Sequence, residues 1–383
     1  MIATLNDICS YRNETVDLNE ATLEEYVSTE SMLPNRGGIG VASSLPGTGK
    51  VKLFKAGDTL ISNIRPYFKK IWRADHSGYC SNDVLVFKAD GCLPDFLYWT
   101  LSSDDFFAHM TKTSKGTKMP RGDKNAIMQY ETSLPSVIAQ EAVCSVLNPL
   151  QKKMISNVQL NDYLAKLLDV LFVDMLNDAD ASWERLSLLD IASYKNGLAM
   201  QKFRPAPGDP GLPVLKIKEL GQGVCTPDSE RCASTIDESV KIHDGNLVFS
   251  WSGTLLLDFW AGGDAGLNQH LFKVTSERYP SWLYYLWTKH HMDRFIMLAK
   301  DRATTMGHIK RSALAESEVL IPPVEQLEVL TRRMQPIVDE LVVNKIQSRN
   351  LADLRDVLLP KLMSGEIDVS NVRLSMPPNN HFA

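Results

Sequence analysis

The stretch Leu167-Leu168-Asp169-Val170-Leu171-Phe172 returns in altered form as Leu354-Arg355-Asp356-Val357-Leu358-Leu359. The two copies lie 187 residues apart, and the same offset relates further identical residues that precede them. These further pairs are Tyr98 and Tyr285, Thr117 and Thr304, Met119 and Met306, Ala126 and Ala313, Pro135 and Pro322, Val137 and Val324, Glu141 and Glu328, Pro149 and Pro336, Asn157 and Asn344, and Leu164 and Leu351. Because solenoid repeats span only roughly 20–50 residues, so long an offset indicates two whole domains. Such a chain can present two similar surfaces to a target in two parts, or to two copies of one partner.

The composition fits a soluble globular protein of more than one domain. The chain has 383 residues, of which 23% are charged and 44% hydrophobic, and this length suits two or three domains. Its formal net charge is −5. A protein that binds DNA alone and without specificity is usually basic, so the charge disfavours that class. The net charge is compatible with a sequence-specific DNA-binding protein whose basic residues are clustered locally, or whose partner subunits supply positive charge.

No feature of the sequence predicts export or a membrane span. The chain has no run of roughly 18 apolar residues, and Met1–Asp7 lacks the basic and apolar regions of a signal peptide. The cysteines form no Cys-x-x-Cys pair and no metal-ligand spacing, so we expect reduced thiols in a cytoplasmic protein without a metal site. They are Cys9, Cys80, Cys92, Cys144, Cys225 and Cys232.

Residues 1–134 predict a first α/β globule. Asp58–Ile64 alternates between polar and apolar residues before Arg65-Pro66, and Asp83–Lys88 has the composition of a second strand. Pro94–Met110 predicts one helix with its apolar residues on one side. Residues 179–320 repeat this texture.

The second globule therefore has its own strands and helix. Asn246–Trp251 and His270–Val274 predict strands, and Trp282–Leu298 predicts a helix. The order along the chain is globule, long helix, globule, long helix, followed by a tail at residues 368–383.

The two long helices are predicted at residues 135–178 and 321–367, where apolar residues recur at helical spacing. Each stretch of about 40 residues could reach roughly 60 Å. Pro149 and Pro336 predict a kink or break in each. Packing the helices on each other hides both apolar stripes, and an antiparallel pair sends the globules to opposite ends. The expected fold class is α+β, with two α/β domains joined by two long antiparallel, coiled-coil-like helices in a pseudo-two-fold arrangement.

The sequence contains no recognisable catalytic or nucleotide-binding motif. Gly47–Lys50 resembles the end of a phosphate-binding P-loop, but Ser44 replaces its first glycine and Val51 replaces the hydroxyl residue that would hold the metal. A Gly-x-Ser-x-Gly nucleophile elbow is also missing. We therefore expect a chain that is not an enzyme and binds no cofactor itself.

Positive charge gathers in three stretches of this acidic chain. Residues 50–73 carry seven basic residues against one aspartate, and residues 109–124 carry five lysines and arginines against one aspartate. Residues 289–311 carry six lysines and arginines against two aspartates. The second and third stretches contain polar loops at matching positions of the repeat, which suits Lys and Arg contacts to phosphates with bases read by neighbouring polar side chains. The residues that we assign to DNA binding are Lys52, Arg65, Lys69, Lys70, Lys115, Lys118, Arg121 and Lys124 in the first globule, and Trp251, Lys300, Arg302, Thr304, Thr305, His308, Lys310 and Arg311 in the second.

Several motifs are similar to those of one family. They are Trp183–Leu186, Leu267–Phe272, Ile321–Gln326 and, most specifically, Leu354–Ile367, with Asn63–Lys70 and Gly78–Asp83 in the first globule. The first copy departs from the pattern at Val173–Leu176, where the second has Pro360–Met363, and this leaves the end of its helix open. Over nearly all its length the chain resembles the specificity subunit of type I restriction–modification systems.

This resemblance implies two target-recognition domains, each reading one half of a split double-stranded DNA sequence. It also implies that the paired helices set the unread gap and dock two methyltransferase (modification) subunits, and that restriction/translocase subunits join the complex. S-adenosylmethionine, ATP and Mg would then be bound by the partners. The helix residues expected at partner contacts are Leu164, Leu167, Leu171, Leu351, Leu354 and Leu358.

Two other classes of function remain open at the level of sequence. One is a scaffold or decoy that pairs two copies of a partner protein and binds no DNA. The other is a nuclease or methyltransferase whose site lacks a recognisable motif. Charge reversal of Lys115, Lys118 and Arg121 separates the first from a DNA reader, and turnover by the purified chain identifies the second.

Overall fold

The computed structural model describes residues 1–18, 21–301 and 308–369. The chain divides into two compact units, and each is described by itself. The first unit holds Met1–Lys152 and the residues from Asp353 onward, and the second holds Lys153–Ala352. The expected division into five segments stays a prediction, and its tail is described only to Val369.

The first unit is built from short strands, four short helices and parts of two long ones. Its strands are β1 (Ile2–Thr4), β2 (Cys9–Tyr11), β3 (Thr15–Asp17), β4 (Tyr26–Val27), β5 (Lys50–Phe54), β6 (Thr59–Ser62), β7 (Ile71–Arg73), β8 (Gly78–Cys80), β9 (Val84–Ala89) and β10 (Glu131–Ser133). Its helices are α1 (Leu5–Ile8), α2 (Pro94–Ser102), α3 (Asp104–Lys112) and α4 (Lys124–Met128), and α5 (Val137–Asn177) begins in this unit. The strands form sheets in the orders β2-β9-β6-β7, β3-β5-β8-β4 and β1-β10.

The second unit has a corresponding set of elements. Its strands are β11 (Glu184–Ser187), β12 (Ser193–Asn196), β13 (Leu212–Leu215), β14 (Arg231–Cys232), β15 (Lys241–Ile242), β16 (Leu247–Ser250), β17 (Leu257–Phe259), β18 (Ala265–Leu267), β19 (Leu271–Thr275) and β20 (Glu318–Ile321). Its helices are α6 (Leu188–Ile191), α7 (Ile217–Gln222), α8 (Ser281–His290), α9 (Met292–Asp301), α10 (Arg311–Ala315) and the first part of α11 (Val324–Ser364). The sheet orders are β12-β19-β16-β17, β14-β13-β18-β15 and β11-β20.

The offset of 187 residues holds for whole elements, which confirms the duplication. Helices α4 and α10 match residue for residue, and so do α5 and α11. The sheet β2-β9-β6-β7 has the same order as β12-β19-β16-β17. The other large sheets share three equivalent strands but have the fourth at opposite edges, because β3 joins β5 in the first unit, whereas β14 joins β13, the equivalent of β4, in the second.

The strands predicted from alternation are confirmed, but the helix that follows them in each unit is not continuous. In the first unit Ser103 separates α2 from α3 with extended backbone angles, φ −65° and ψ 150°. Its hydroxyl accepts a hydrogen bond from the backbone N–H of Phe106, as an N-cap serine does. In the second unit His291 separates α8 from α9. The expectation of a single helix was wrong in both units, because apolar spacing does not reveal a local cap.

The predicted breaks at Pro149 and Pro336 do not occur, because α5 and α11 each run through 41 residues. A proline inside a helix removes a hydrogen bond and crowds the preceding turn. Core packing on both sides offsets this cost: Leu147 is buried before Pro149 and the half-buried Leu150 after it packs against the same core, while Met334 and Val338 are buried around Pro336. Tertiary packing therefore overrides the local preference.

Each unit closes its core with turns of both long helices. In the first unit Leu147 of α5 and Leu359 of α11 join the core cluster formed by the main sheet and α2. In the second unit Phe172 of α5 and Met334 of α11 do the same. Burying a side chain of this size contributes roughly 2 kcal/mol. The helices are thus integral parts of both cores.

The two helices run antiparallel where they meet in the second unit. The amide nitrogen Nδ2 of Asn157 donates to the backbone oxygen of Asn344 at 3.3 Å, and Nδ2 of Asn161 donates to that of Leu341 at 3.1 Å. Contacts that move forward on α5 therefore move backward on α11. The α+β class and the long antiparallel helices predicted from the sequence are confirmed.

Candidate nucleic-acid interfaces

The basic loop of the first unit is a short closed hairpin. Lys115 and Arg121 exchange two backbone hydrogen bonds, of 2.8 and 2.9 Å, and Gly116 adopts the positive φ of +95° that the turn requires. Arg121 also bridges to Ile64, beyond the end of β6. These contacts bring the residue 115–121 loop beside the segment that follows β6, so two of the charged stretches meet at one place.

Carboxylates compensate two of the cations in this loop. The guanidinium of Arg121 donates from Nε and Nη2 to the two carboxylate oxygens of Asp83, at 3.0 and 3.3 Å, and this pairing raises the pKa of Arg121. Lys115 lies 2.5 Å from Asp123 and lowers the pKa of that carboxyl group. Lys118 is exposed at the tip, and no ion pair joins it to a described residue. Lys124 is also exposed.

The basic residues that follow β6 differ in the partners that their side chains contact. Nζ of Lys69 lies 2.9 Å from Asp104, and Nζ of Lys70 donates to the backbone oxygen of Thr29 at 2.6 Å. Burial lowers the pKa of Lys70. Arg65 starts the short turn Pro66–Phe68 and has no ion pair with any residue in the described ranges.

Lys52 is placed differently from what the charge count suggested. Only 8% of it is exposed, and its Nζ donates to the backbone oxygens of Asn82 and Val84 at 2.9 and 2.7 Å. Burial also lowers its pKa. Its ammonium group thus stabilises the strands around β5 and is not presented at the surface, which counts against the assignment of Lys52 to DNA binding.

In the second unit the matching place holds aromatic rings. The ring of Trp251 lies 5.9 Å from that of His270 and 6.3 Å from that of His308, between centroids. Oγ of Ser252 and Nδ1 of His270 are hydrogen-bonded at 3.0 Å, and Ser252 bridges to His308 through the backbone. By the 187-residue offset, His270 and His308 occupy the positions of Asp83 and Arg121.

The other assigned residues of the second unit are only partly described. Arg311 donates from Nη1 to the backbone oxygen of Tyr194 at 3.2 Å. Lys300 and Lys310 are exposed. Arg302, Thr304 and Thr305 lie outside the described residues.

Reasoning from the sequence missed four residues that shape these two places. They are Asp83 and Asp104, which pair with the cations of the first unit, and Ser252 and His270, which contact the ring cluster of the second. The signal that could have identified two of them is the repeat itself, because Asp83 and His270 are equivalent positions.

The helix leucines fall into two groups. Leu164 and Leu171 pack against the core of the second unit and Leu358 packs against that of the first, while Leu351 is half-buried. Leu167 and Leu354 are equivalent in the repeat, and their exposed fractions are 43% and 46%. Of the assigned set, Leu167 and Leu354 are the two that are exposed.

The described part of the chain offers no metal centre. Within residues 1–18, 21–301 and 308–369, no three His, Cys, Asp or Glu side chains are grouped so that they could hold a metal ion. Burial raises the pKa of the Cys80 thiol to about 12, so it is protonated and a poor nucleophile near neutral pH. Across the same ranges, no helix is both long and apolar enough to cross a membrane.

Comparison with known proteins gives a consistent set of relatives, although no protein-family model matches. The type I restriction enzyme MjaIX specificity subunit of Methanocaldococcus jannaschii is 22% identical over 317 residues, covering 75% of this chain and 72% of the relative. The HindI specificity subunit of Haemophilus influenzae is 20% identical over 454 aligned residues, covering 95% of this chain and 98% of the relative. The crystal structure of the type I restriction–modification system S subunit from M. genitalium shares the fold, with a TM-score of 0.56, 16% identity and coverage of 95% and 96%.

These relatives confirm the resemblance that the sequence motifs carried. Both curated proteins are named specificity subunits of type I restriction enzymes, and one alignment spans nearly the whole of both chains. The expectation of a specificity subunit, as opposed to a catalytic chain, agrees with both names. The solved structure shows that the duplicated fold itself is shared.

Proposed function

We propose that this chain is the DNA-recognition subunit of a type I restriction–modification complex and reads a two-part target, one unit per half-site. The observation that carries the proposal is the equivalence of Arg121 and His308, each bridged to the segment after the same strand of its unit. A duplicated fold with different side chains at one place suits a reader of two different half-sites. Phosphate contacts from neighbouring Lys and Arg position such a reader on the duplex.

The long helices set the unread gap in this proposal, and they dock two methyltransferase subunits. Exposed Leu167 and Leu354 suit the docking role, because equivalent apolar residues can meet two copies of one partner. Restriction/translocase subunits complete the complex. S-adenosylmethionine, ATP and Mg bind to those partners, and the chain itself performs no catalytic step.

Methylome sequencing of a host that expresses the chain together with its neighbouring methyltransferase tests the proposal. The expected result is one methylated motif in two parts with a fixed gap. The decisive variant is the charge reversal of Lys115, Lys118 and Arg121 to Glu, which should abolish methylation while the chain still co-purifies with the methyltransferase. Co-purification of both the wild-type chain and the variant with the methyltransferase, without measurable DNA binding by either, would favour a scaffold that binds no DNA.

A further inference from the structure

Unfavourable backbone conformations are concentrated at one place in the first unit. Among the described residues, the non-glycine positions with positive φ are Asn35, Arg36, Arg65 and Lys69, at 54°, 62°, 51° and 50°. The backbone N–H groups of Asn35 and Arg36 donate to the oxygens of Phe68 and Lys69, both at 2.9 Å. L-residues adopt this left-handed conformation rarely, and such strain persists only where surrounding contacts enforce it. The two segments therefore hold each other in place.

The strain at Arg36 has a structural explanation. Its side chain is 5% exposed, donates from Nε to the backbone oxygen of Ser102 at 2.6 Å, and pairs with Asp104. The equivalent position in the second unit is Gly223, which makes the same bend at φ +71° without a side chain. A buried cation thus accounts for the arginine at residue 36.

No such internal contact accounts for Arg65. Its Nε is covered from solvent and has no hydrogen-bond acceptor among the described residues, and its guanidinium forms no ion pair there. Its cationic neighbours are engaged: Lys69 with Asp104, Lys70 with Thr29, and Arg121 with Asp83. Arg65 is therefore an uncompensated cation in a turn where the neighbouring cations are compensated.

The backbone of Arg65 is nevertheless tightly held. Its N–H donates to the oxygen of Pro120 at 2.8 Å, its own oxygen accepts from the N–H of Phe68 at 3.0 Å, and Pro66 restricts the next φ. Two residues earlier, Asn63 is only 8% exposed, and its Oδ1 has no hydrogen-bond partner among the described residues. Buried polar atoms without partners are uncommon in folded proteins, and two of those in the described residues lie within three residues of each other here.

A large side chain is exposed on the same turn. Tyr67 lies between Pro66 and Phe68 with 49% of its surface exposed, and Met119, next to Pro120, is 44% exposed. A tyrosine joins an apolar ring to a polar hydroxyl, which suits contact with a partner that has both apolar and polar parts. The turn consequently presents an aromatic ring beside an uncompensated guanidinium.

We infer that residues 65–69 form a pre-organised clamp on the DNA backbone of the first half-site, in which Arg65 binds a phosphate group and Tyr67 packs against the neighbouring sugar. The inference rests on the proposed function and goes beyond it by assigning a ligand to Arg65 and a role to Tyr67. The guanidinium fork matches a phosphate group with two donors. A turn that is already rigid loses little conformational entropy on binding, and phosphate contacts fix the register of a reader on the duplex.

Arg65→Gly distinguishes the role of the side chain from that of the backbone. It removes the guanidinium but keeps the turn, because glycine adopts a positive φ without strain. The expected melting temperature of the full-length chain is equal to or above that of the wild type. Affinity for a long mixed-sequence DNA duplex should fall, and the slope of log K against log salt concentration should decrease in magnitude by about 0.9, the value for one phosphate. Lys88→Gln removes one positive charge from the same unit, at an exposed residue paired with Asp90, and should leave both quantities unchanged.

Tyr67→Ala and Tyr67→Phe test the second part of the clamp. The alanine variant should bind the same duplex several-fold more weakly with an unchanged salt slope, because no charge is lost, whereas the phenylalanine variant should bind like the wild type. Wild-type affinity and slope in Arg65→Gly would overturn the clamp. An unchanged slope with altered preference at one base pair would instead assign Arg65 to base reading and overturn the phosphate assignment. In both cases loss of the first half-site in a Lys118→Ala, Arg121→Ala variant would leave the proposed function standing.

Discussion

The two units share a fold but attach to the long helices in different ways. In the second unit Leu168 of α5 is fully buried, and the ring of Phe172 meets that of Trp287 edge-on at 5.1 Å. The equivalent of Leu168 in the first unit is Arg355 of α11, which is only 4% exposed. Its Nε donates to Asp356 at 2.8 Å, and Arg36 lies 3.8 Å from the same carboxylate. Both units pack apolar residues of this helix segment into their cores, but the first unit has a charged network at the position where the second has Leu168.

The candidate DNA-contacting places of the two units differ in the same manner. Asp83 and Arg121 of the first unit form an ion pair where the second unit places the rings of His270 and His308. A backbone framework tolerates such replacements, because sheet order and helix position depend on the apolar pattern around them. Duplication therefore preserved the scaffold, while the contact chemistry of each copy changed.

Leu168→Ala should have the largest effect, since it removes a fully buried side chain and leaves a cavity, at a cost of roughly 3 kcal/mol. Arg355→Met is the matched variant in the first unit. It should leave stability within about 1 kcal/mol of the wild type, because the remaining Asp356 is half-exposed and keeps Arg36 beside it, so no buried charge is left unpaired. Hydrogen exchange under increasing denaturant measures the free energy of unfolding of each unit separately. Equal losses in both variants would show that the two attachments do not differ energetically.

Changing Lys118 and Arg121 to Ala should damage recognition of one half-site and leave preference at the other intact. Changing Thr305 and His308 to Ala should do the reverse, because the proposed function makes each unit a separate reader. The expected loss is roughly ten-fold to several-hundred-fold at the affected half-site. Methylation of a DNA library with degenerate half-sites measures the sequence preference at each half-site. Simultaneous degradation of the two halves by either variant would contradict independent readers.

Lengthening both helices should widen the unread gap. Four residues of sequence Ala-Glu-Ala-Lys inserted after Lys152 in α5, and four after Ala352 in α11, add one turn at the boundary between the units while keeping the helices paired. The added length is roughly 6 Å, or about one to two base pairs. The half-site sequences should not change, since neither loop is altered. A folded, active variant that keeps the original gap would exclude the helices as the ruler.

The smallest expected effect concerns a histidine that only the second unit has. Hydrogen bonds to Asp264 and Glu238 raise the pKa of His243 above its ordinary value. Its contribution to stability is therefore fully present below pH about 6.5 and is lost as the pH rises through the raised value. Because the ring is partly exposed, the effect on the melting temperature should stay under about 2 °C. Calorimetry should show a lower melting temperature for His243→Gln than for the wild type below pH about 6.5. Above the raised pKa the two melting temperatures should be equal.

The sequence by itself determined the duplication, the two long helices and most of the strands. A constant offset, apolar spacing without glycine, and alternation in stretches such as Asp58–Ile64 are local or periodic signals, and they survive folding because they reflect which face each element must bury. The same offset also located both candidate DNA-contacting loops. Motifs such as Leu354–Ile367 carried the resemblance to type I specificity subunits.

Tertiary structure alone decided which charged groups are available and where local breaks occur. Lys52 is buried against Asn82 and Val84, and Arg121 pairs with Asp83, because the fold brings together residues about 30 to 40 positions apart. Pro149 does not interrupt its helix, because the helix is packed into a core on both sides of it. The burial of an individual charged group and its ion pairing depend on distances in space, and no periodicity along the chain encodes them.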